Sequence, residues 1–204
     1  MNDQQIRISF HHKCLSNRHK DSATLVIDEL GLQHGKCRAD IAVLNGHFIG
    51  YEIKSDTDSL RRLNNQITIY NSVFDRLFAV VAPCHLNEAM TLLPDWWGVI
   101  LVSEGKRGAI YFKTARHSKQ NRYVDDYAVA QLLWRDEAQE ILTNLGIRGK
   151  VLREKRANLY THISKKLDSS ELRKTVKKYL MNRANWRRPL QLLSRDDLSQ
   201  SISM

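Results

Sequence analysis

The chain has 204 residues and a net charge of +10, and 42% of its residues are apolar. It is long enough for one sizeable core with a small additional module, but no segment approaches the ~20 apolar residues of a membrane span, and the start MNDQQIRISF lacks a secretory signal. We therefore expect a cytoplasmic protein without a membrane partner, and three cysteines without a C-x-x-C pair argue against a disulfide framework or a four-cysteine metal site.

The first half of the chain predicts a mixed α/β domain. Short runs rich in β-branched residues and bounded by turn residues are typical of strands. Between the third and fourth runs, apolar side chains recur every three or four residues from Leu60 to Phe74, with Asp56 or Thr57 available as the N-cap of a helix. The predicted strands cover residues 24–29, 38–44, 48–54, 76–82 and 98–102, a second helix covers 86–93, and a hairpin follows through Gly105 to Gly108.

The second half predicts helices. Residues 113–123 lack apolar periodicity and predict a linker. After it, one helix is expected to reach Gly146, a second covers residues 151–167, and a third begins at a capping box formed by Asp168 and Glu171. The predicted organisation is a core at 1–112, a basic helical nucleic-acid-binding module at 124–193 and a flexible tail at 194–204.

The positive charge lies almost entirely in the second half. Residues 1–104 carry a net charge of −2 and residues 105–204 carry +12, while the segment 150–188 alone carries +10. This excess favours a polyanionic partner, for which DNA is the expected choice, although a solvated helical face would explain the same charges. The candidate phosphate contacts are Lys174, Lys177 and Lys178.

The most informative pattern is Asp40 followed, after eleven residues, by Glu52 and then Lys54. In an antiparallel hairpin with a three-residue loop at 45–47, the numbers of paired residues sum to a constant, so Asp40 lies opposite Glu52. Lys54, two residues further on, shares their face. A two-residue turn would instead place Asp40 opposite Tyr51.

This pattern suits a divalent cation. Adjacent carboxylates repel each other unless a cation lies between them. Mg²⁺ accepts such oxygen ligands, polarises a phosphodiester oxygen and activates a water for attack on phosphorus, while Lys54 would orient that water. An ion pair between Asp40 and Lys54, with Glu52 exposed, is the alternative that the spacing alone leaves open.

Several short motifs within residues 24–102 together resemble the PD-(D/E)XK nuclease superfamily, including the Q-x-x-x-Y feature of its RecB-like branch. Within that superfamily, the chain is most similar to a small bacterial and prophage family called "sce". The motifs are ELGL at 29–32, RAD at 38–40, EIKSD at 52–56, and Gln66 with Tyr70.

The resemblance implies a restriction-endonuclease-like core with a mixed central sheet flanked by helices. It implies that Asp40 and Glu52 bind Mg²⁺ or Mn²⁺ and that Lys54 is the catalytic lysine. We therefore expect a metal-dependent deoxyribonuclease, with endonucleolytic preferred to exonucleolytic cleavage. The alternative is a catalytically silent nucleic-acid-binding or regulatory protein on the same fold.

Three further residues receive roles from the same resemblance. Gln66 would support the active site, and Tyr70 would contact DNA or the site, with a core role as the alternative. Glu29 is either an additional catalytic acid or the cap of a turn. The form of the nucleic acid substrate, the pathway and the presence of a homodimer stay open.

Two groups of residues are interpreted as structural. His11, His12 and Cys14 are not followed by a second ligand pair at a suitable spacing, so polar surface residues are favoured over a zinc site. The tryptophans have apolar neighbours and are expected to anchor the core or an interface in preference to stacking on bases. They are Trp96, Trp97, Trp134 and Trp186.

Overall fold

The computed structural model describes residues 1–183, and its centre is a six-stranded sheet. The strands are β1 (Leu25–Leu32), β2 (Cys37–Leu44), β3 (Phe48–Lys54), β4 (Arg76–Val81), β5 (Gly98–Glu104) and β6 (Ile110–Arg116). They lie side by side in chain order. The pairs β1–β2, β2–β3 and β5–β6 are antiparallel, whereas β3–β4 and β4–β5 are parallel. The prediction of a mixed α/β sheet is confirmed.

Helices cover both faces of this sheet. Those described are α1 (Asp3–Lys13), α2 (Ser16–Lys20), α3 (Arg61–Val73), α4 (Leu86–Leu92), α5 (Asp126–Ala130), α6 (Arg135–Asn144), α7 (Arg156–Lys166) and α8 (Ser169–Asn182). Phe10 of α1 belongs to the same hydrophobic cluster as Ile41 and Val43, whereas Tyr70 of α3 belongs to the cluster that contains Ala42. Successive strand residues point to opposite faces, so α1 and α3 lie on opposite sides of β2.

Helix α3 lies where the sequence predicts it, but neither Asp56 nor Thr57 caps it. The helix begins after Leu60, which makes no side-chain capping bond. Asp58 closes the preceding loop instead, because its carboxylate accepts the N–H and the hydroxyl of Ser55 at 2.8 and 2.5 Å. The acidic residues after β3 thus stabilise a turn and not the helix end.

The predicted helix ending at Gly146 is in fact two helices, α5 and α6, separated at residues 131–134. Trp134 begins α6 as its N-cap, and its backbone N–H donates to Glu137 at 2.6 Å. Trp134 is 55% exposed, so it does not anchor the core, and its predicted role at an interface stays a prediction. Trp97 is fully buried, which confirms the predicted role in the core.

The last two helices are close to their predicted positions. A 3₁₀ turn at Gly149–Arg153 replaces the first part of the predicted segment 151–167, and α7 follows. Helix α8 begins as predicted at Asp168, whose carboxylate accepts the N–H groups of Ser170 and Glu171 at 2.8 and 2.9 Å.

The predicted linker is partly strand. Residues 113–116 belong to β6. The following residues are attached to the C-terminal end of α3, because the side-chain amide of Asn121 donates to the carbonyls of Asn71 and Phe74 at 2.7 and 2.8 Å. One hydrophobic cluster continues from the sheet into the C-terminal helices. The division into a core and a module stays a prediction.

The predicted tail at 194–204 and Trp186 lie outside the described residues. Among residues 1–183, every helix is too short or too polar to cross a membrane.

Candidate active site

The hairpin of β2 and β3 has the predicted three-residue loop and register. Backbone pairing between the two strands ends at Ile41 and Tyr51, one position before the two acids. Beyond it, Asp40 contacts β3 through its side chain, because its Oδ2 accepts the N–H of Ile53 at 2.6 Å. Asp40 and Glu52 therefore lie together at the open end of the hairpin.

Glu52 is buried, with only 4% of its surface exposed. Its Oε1 accepts a hydrogen bond from Nζ of Lys54 at 2.7 Å, and its Oε2 lies 2.6 Å from the hydroxyl of Tyr70. Burial, together with the nearby Glu52, raises the pKa of Tyr70, so the phenol stays protonated and can donate. The alternative of an Asp40–Lys54 ion pair with Glu52 exposed is therefore wrong.

Asp40 is less buried than Glu52, with 19% of its side chain exposed. Burial and the neighbouring Glu52 raise the pKa of Asp40 to about 8. The two carboxylates thus form an acidic pair that is stabilised by either a proton or a cation. Strongly shifted pKa values cluster at functional sites, so the raised pKa of Asp40 makes this pair a candidate functional site.

The donor atoms of the pair fit a hard divalent cation. Mg²⁺ and Mn²⁺ prefer oxygen ligands, and Mg²⁺ is usually held by one or two carboxylates with several waters. No third Asp, Glu, His or Cys side chain joins the pair as a metal-binding group within residues 1–183. Asp40 and Glu52 would therefore hold the ion with water completing its coordination.

Arg7 of α1 is the site residue that the sequence analysis missed. Its guanidinium donates to the backbone oxygen of Asp40 at 2.6 Å and lies 3.3 Å from the Oδ1 of that residue. The same group contacts Glu29 at 2.9 Å and Asp3 at 3.2 Å. Arg7 is therefore a protein cation at the acidic pair, delivered from the face of the sheet opposite α3.

A local signal for α1 is present in the sequence. Asn2 and Gln5 form a reciprocal capping box, in which each side chain accepts the backbone N–H of the other residue at 2.9 and 3.0 Å. This pattern predicts a helix beginning at residue 3. It does not reveal the contact of Arg7 with Asp40, which joins residues far apart in the chain.

Glu29 is brought to the same place. The pairs that flank it place Glu29 across from Asp40 in the β1–β2 ladder. Its φ of 55° lies in the left-handed region, which is strained for a residue with a side chain. Its carboxylate reaches Asp40 through the shared partner Arg7.

Gln66 lies one helical turn before Tyr70 on α3. Its side-chain oxygen is buried and has no hydrogen-bond partner among the described residues. Leaving a buried acceptor unpaired costs about 1–3 kcal/mol, and a water or ligand that donates to it removes this cost. Gln66 is thus suited to accept a hydrogen bond from a bound molecule.

Residues 2–200 match the family model described as bacteriophage P4 protein cII. The chain belongs to this family. Protein cII of Enterobacteria phage P4 is 26% identical to it over 147 residues, which cover 72% of this chain and 55% of that protein. The chain thus spans about half the length of this curated relative. No solved structure matches it significantly.

The three candidate phosphate-binding lysines of this cII-family chain lie together on α8. Lys174, Lys177 and Lys178 line a groove of about 410 Å³ with Met181. Lys177 also donates to the backbone carbonyl of Ala23. Lys174 and Lys178 are therefore the better pair for testing binding, since neither holds the loop before β1.

His11 of this cII-family chain lies in the protein interior, 6% exposed, so its assignment to the surface is wrong. Its ring nitrogens lie 2.9 Å from Oδ1 of Asp28 and 2.9 Å from Nε2 of His19. The ring therefore ties α1 and α2 to β1, which holds the helix that carries Arg7.

We expect Arg7→Gln to lower the thermal midpoint of the metal-free protein by about 5 °C at pH 9, because a charge-assisted hydrogen bond to Asp40 is lost. The loss should be smaller at pH 6, where the raised pKa of Asp40 leaves this group mostly protonated. Mg²⁺ should stabilise the variant more than the wild type, since one competing cation is gone. Thermal unfolding with and without Mg²⁺ measures all three effects.

The matched control is Arg18→Gln, which removes the same charge from the exposed surface of α2. It should change neither the pH dependence nor the Mg²⁺ response. Equal behaviour of the two variants would show that Arg7 does not compensate the charge of Asp40.

Proposed function

We propose that this chain is a metal-dependent deoxyribonuclease with a PD-(D/E)XK core. The observation that carries the proposal is the acidic pair of Asp40 and Glu52 at the open end of a hairpin, with Lys54 2.7 Å from Glu52. The hairpin of β2 and β3, helix α3 and the parallel strand β4 follow one another in the chain around this pair. DNA is the proposed substrate because of the chain's excess of positive charge.

Each side chain has a distinct part in this proposal. Asp40 and Glu52 would hold Mg²⁺ or Mn²⁺, and the bound ion would polarise the phosphodiester and activate a water. Lys54 places its ammonium where negative charge develops on the phosphoryl oxygens. Tyr70 orients Glu52 through its hydroxyl, and the unpaired oxygen of Gln66 accepts a hydrogen bond from water or from the substrate.

One observation favours the alternative of a silent nucleic-acid-binding or regulatory protein. Each carboxylate oxygen of Asp40 and Glu52 already has a protein donor within 3.3 Å. In that alternative, Arg7 and Lys54 supply the positive charge permanently and the chain binds DNA without cutting it. Ligation by the pair remains compatible with these bonds, since a carboxylate has about four acceptor positions.

A cleavage assay separates the two functions. The 204-residue chain is incubated with supercoiled plasmid and with duplex, single-stranded and branched oligonucleotides, in Mg²⁺, Mn²⁺ or EDTA. Nicked or linear plasmid that forms with Mg²⁺ or Mn²⁺ but not with EDTA supports an endonuclease. Shortening of linear DNA from its ends supports an exonuclease. Binding without any cleavage in either metal supports the alternative.

Charge reversal on α8 tests the proposed DNA contact. We expect the double variant Lys174→Glu, Lys178→Glu to bind DNA more weakly than the wild type. In a plot of the logarithm of the binding constant against the logarithm of the salt concentration, the slope should become less steep by about 0.9 for each lost phosphate contact. Both lysines are exposed, so the fold should survive. Anisotropy titrations at several salt concentrations measure the slope.

The matched control reverses two exposed lysines at the end of α7, in the variant Lys165→Glu, Lys166→Glu. It changes the net charge equally, so long-range attraction falls to the same extent. If both double variants have the same slope, the α8 lysines are only a solvated face.

A further inference from the structure

A pocket of about 170 Å³ lies where the connection from β1 to β2 meets the corner between α5 and α6. Its lining includes Gly31, His34, Trp134, Arg156 and Arg183. None of its lining residues is acidic. The pocket therefore combines positive charge with exposed aromatic surface.

One of the two arginines that line this pocket, Arg156, has no acidic partner among the described residues, whereas Arg183 pairs with Glu137. Arg156 is the first residue of α7 and is exposed. Burial, with the nearby charges of Arg156 and Lys36, lowers the pKa of His34. A neutral imidazole beside a free guanidinium offers hydrogen bonds and one positive charge, which suits a phosphate group.

The aromatic side of the pocket is held in place. Trp134 is 55% exposed, and the guanidinium of Arg183 lies 4.1 Å from the centre of its ring. Arg183 is itself fixed by Glu137, with distances of 2.7 and 2.6 Å. A large exposed ring in a fixed position is suited to stacking with a nucleobase.

The backbone on the other side is strained. Gln33 and His34 have φ values of 45° and 61°, in the left-handed region that side chains disfavour. The ring of His34 stacks on Tyr160, with 5.6 Å between the ring centres and 23° between their planes. Such strain persists only where the surrounding structure maintains it, and the stacking contact with Tyr160 keeps the ring of His34 at the pocket.

The pocket is connected to the acidic pair along β2. Gly31 pairs with Arg38, whose carbonyl oxygen lies 2.5 Å from the hydroxyl of Tyr70, and Asp40 is two residues further on. Two strand residues span about 7 Å, so a DNA strand with a phosphate at Asp40 reaches the pocket within about two to four nucleotides. The exposed side chains of Lys36 and Arg38 lie along this path.

We infer that this pocket binds an unpaired nucleotide of a DNA strand, with its base on Trp134 and its phosphate at Arg156 and His34. A paired base is stacked inside the duplex and cannot occupy the pocket. The inference rests on the proposed function and adds the substrate class, which is DNA with a single-stranded segment beside the cleaved bond.

Binding measurements in EDTA test this inference without cleavage. Anisotropy titrations use a labelled single-stranded oligonucleotide and the duplex of the same sequence. Trp134→Leu and Arg156→Gln should each weaken single-strand binding about tenfold, as loss of one stacked base does, and leave duplex binding unchanged. The matched controls Trp134→Phe, which keeps a ring, and Arg153→Gln, which removes an exposed charge outside the pocket, should change both affinities less than about twofold.

Two outcomes would overturn the inference. The first is that Trp134→Leu and Arg156→Gln bind the single-stranded oligonucleotide as tightly as the control variants do. The second is an equal loss of duplex binding, which would make the pocket a general backbone contact. Because Arg156 is exposed, its variant remains informative even if Trp134→Leu unfolds. Failure of the nuclease proposal is distinct, since the wild type would then bind the single strand but cut nothing in Mg²⁺.

Discussion

Asp40→Asn and Glu52→Gln should each abolish Mg²⁺-dependent cleavage of plasmid DNA, with a fall in rate of more than about 10³-fold, while the protein stays folded. Each change removes one anionic ligand and preserves the size of the side chain. DNA binding in EDTA should largely survive, because the contacts on α8 are unaltered. Rates are measured from the conversion of supercoiled plasmid to nicked and linear forms.

The two variants should differ in stability. Burial and Glu52 raise the pKa of Asp40 to about 8, so ionised Asp40 increasingly opposes folding as pH rises from about 4 to 8. Asp40→Asn removes that penalty and should be at least as stable as the wild type at pH 8 without metal. Glu52→Gln leaves Lys54 without its 2.7 Å anionic partner and should be less stable. Of these three proteins, only the wild type should show a higher thermal midpoint in Mg²⁺, because each variant lacks one of the two anionic ligands.

The control for both is Glu88→Gln, which neutralises an exposed acid on α4. It should retain the wild-type rate and the Mg²⁺ response. Wild-type cleavage by either Asp40→Asn or Glu52→Gln would show that the acidic pair is not the active site.

The hairpin was predictable because its determinants are local. Runs of β-branched residues define β2 and β3, and the three-residue loop between them fixes their register. This register places Asp40 opposite Glu52, one position beyond the last backbone pair of the two strands. The same reasoning could not find Arg7, because a contact spanning 33 residues leaves no trace in a local pattern.

The break between α5 and α6 was not predictable for a related reason. Residues 131–134 continue an apolar pattern and contain neither Gly nor Pro, so the sequence favours one helix. In the fold, the carbonyls freed at the break are satisfied by distant donors. Arg183 donates to the carbonyl of Leu132, and the hydroxyl of Tyr160 donates to that of Leu133, each at 2.8 Å. Tertiary hydrogen bonds thus override the local helical preference.

Lys54→Ala should lower the cleavage rate about 10²-fold or more, the usual effect of losing one transition-state contact. The lysine is only 9% exposed and is held by Glu52, so its ammonium has a fixed place beside the acidic pair. Because Lys54 carries positive charge next to the proposed ligands, its removal should leave Mg²⁺ binding at least as tight. Single-turnover rates and Mg²⁺ thermal-shift titrations measure the two effects separately.

Lys54→Met separates charge from packing, because methionine fills most of the same space without an ammonium group. If charge at the phosphoryl group matters, the methionine variant should be as slow as the alanine variant although it packs better. Both should be less stable than the wild type without metal, since Glu52 keeps only Tyr70 as a side-chain donor, and Mg²⁺ should restore part of the loss. If both variants cleave at the wild-type rate, Lys54 serves only in its ion pair with Glu52. If Lys54→Met cleaves at the wild-type rate and Lys54→Ala does not, the lysine contributes to cleavage through packing and not through charge.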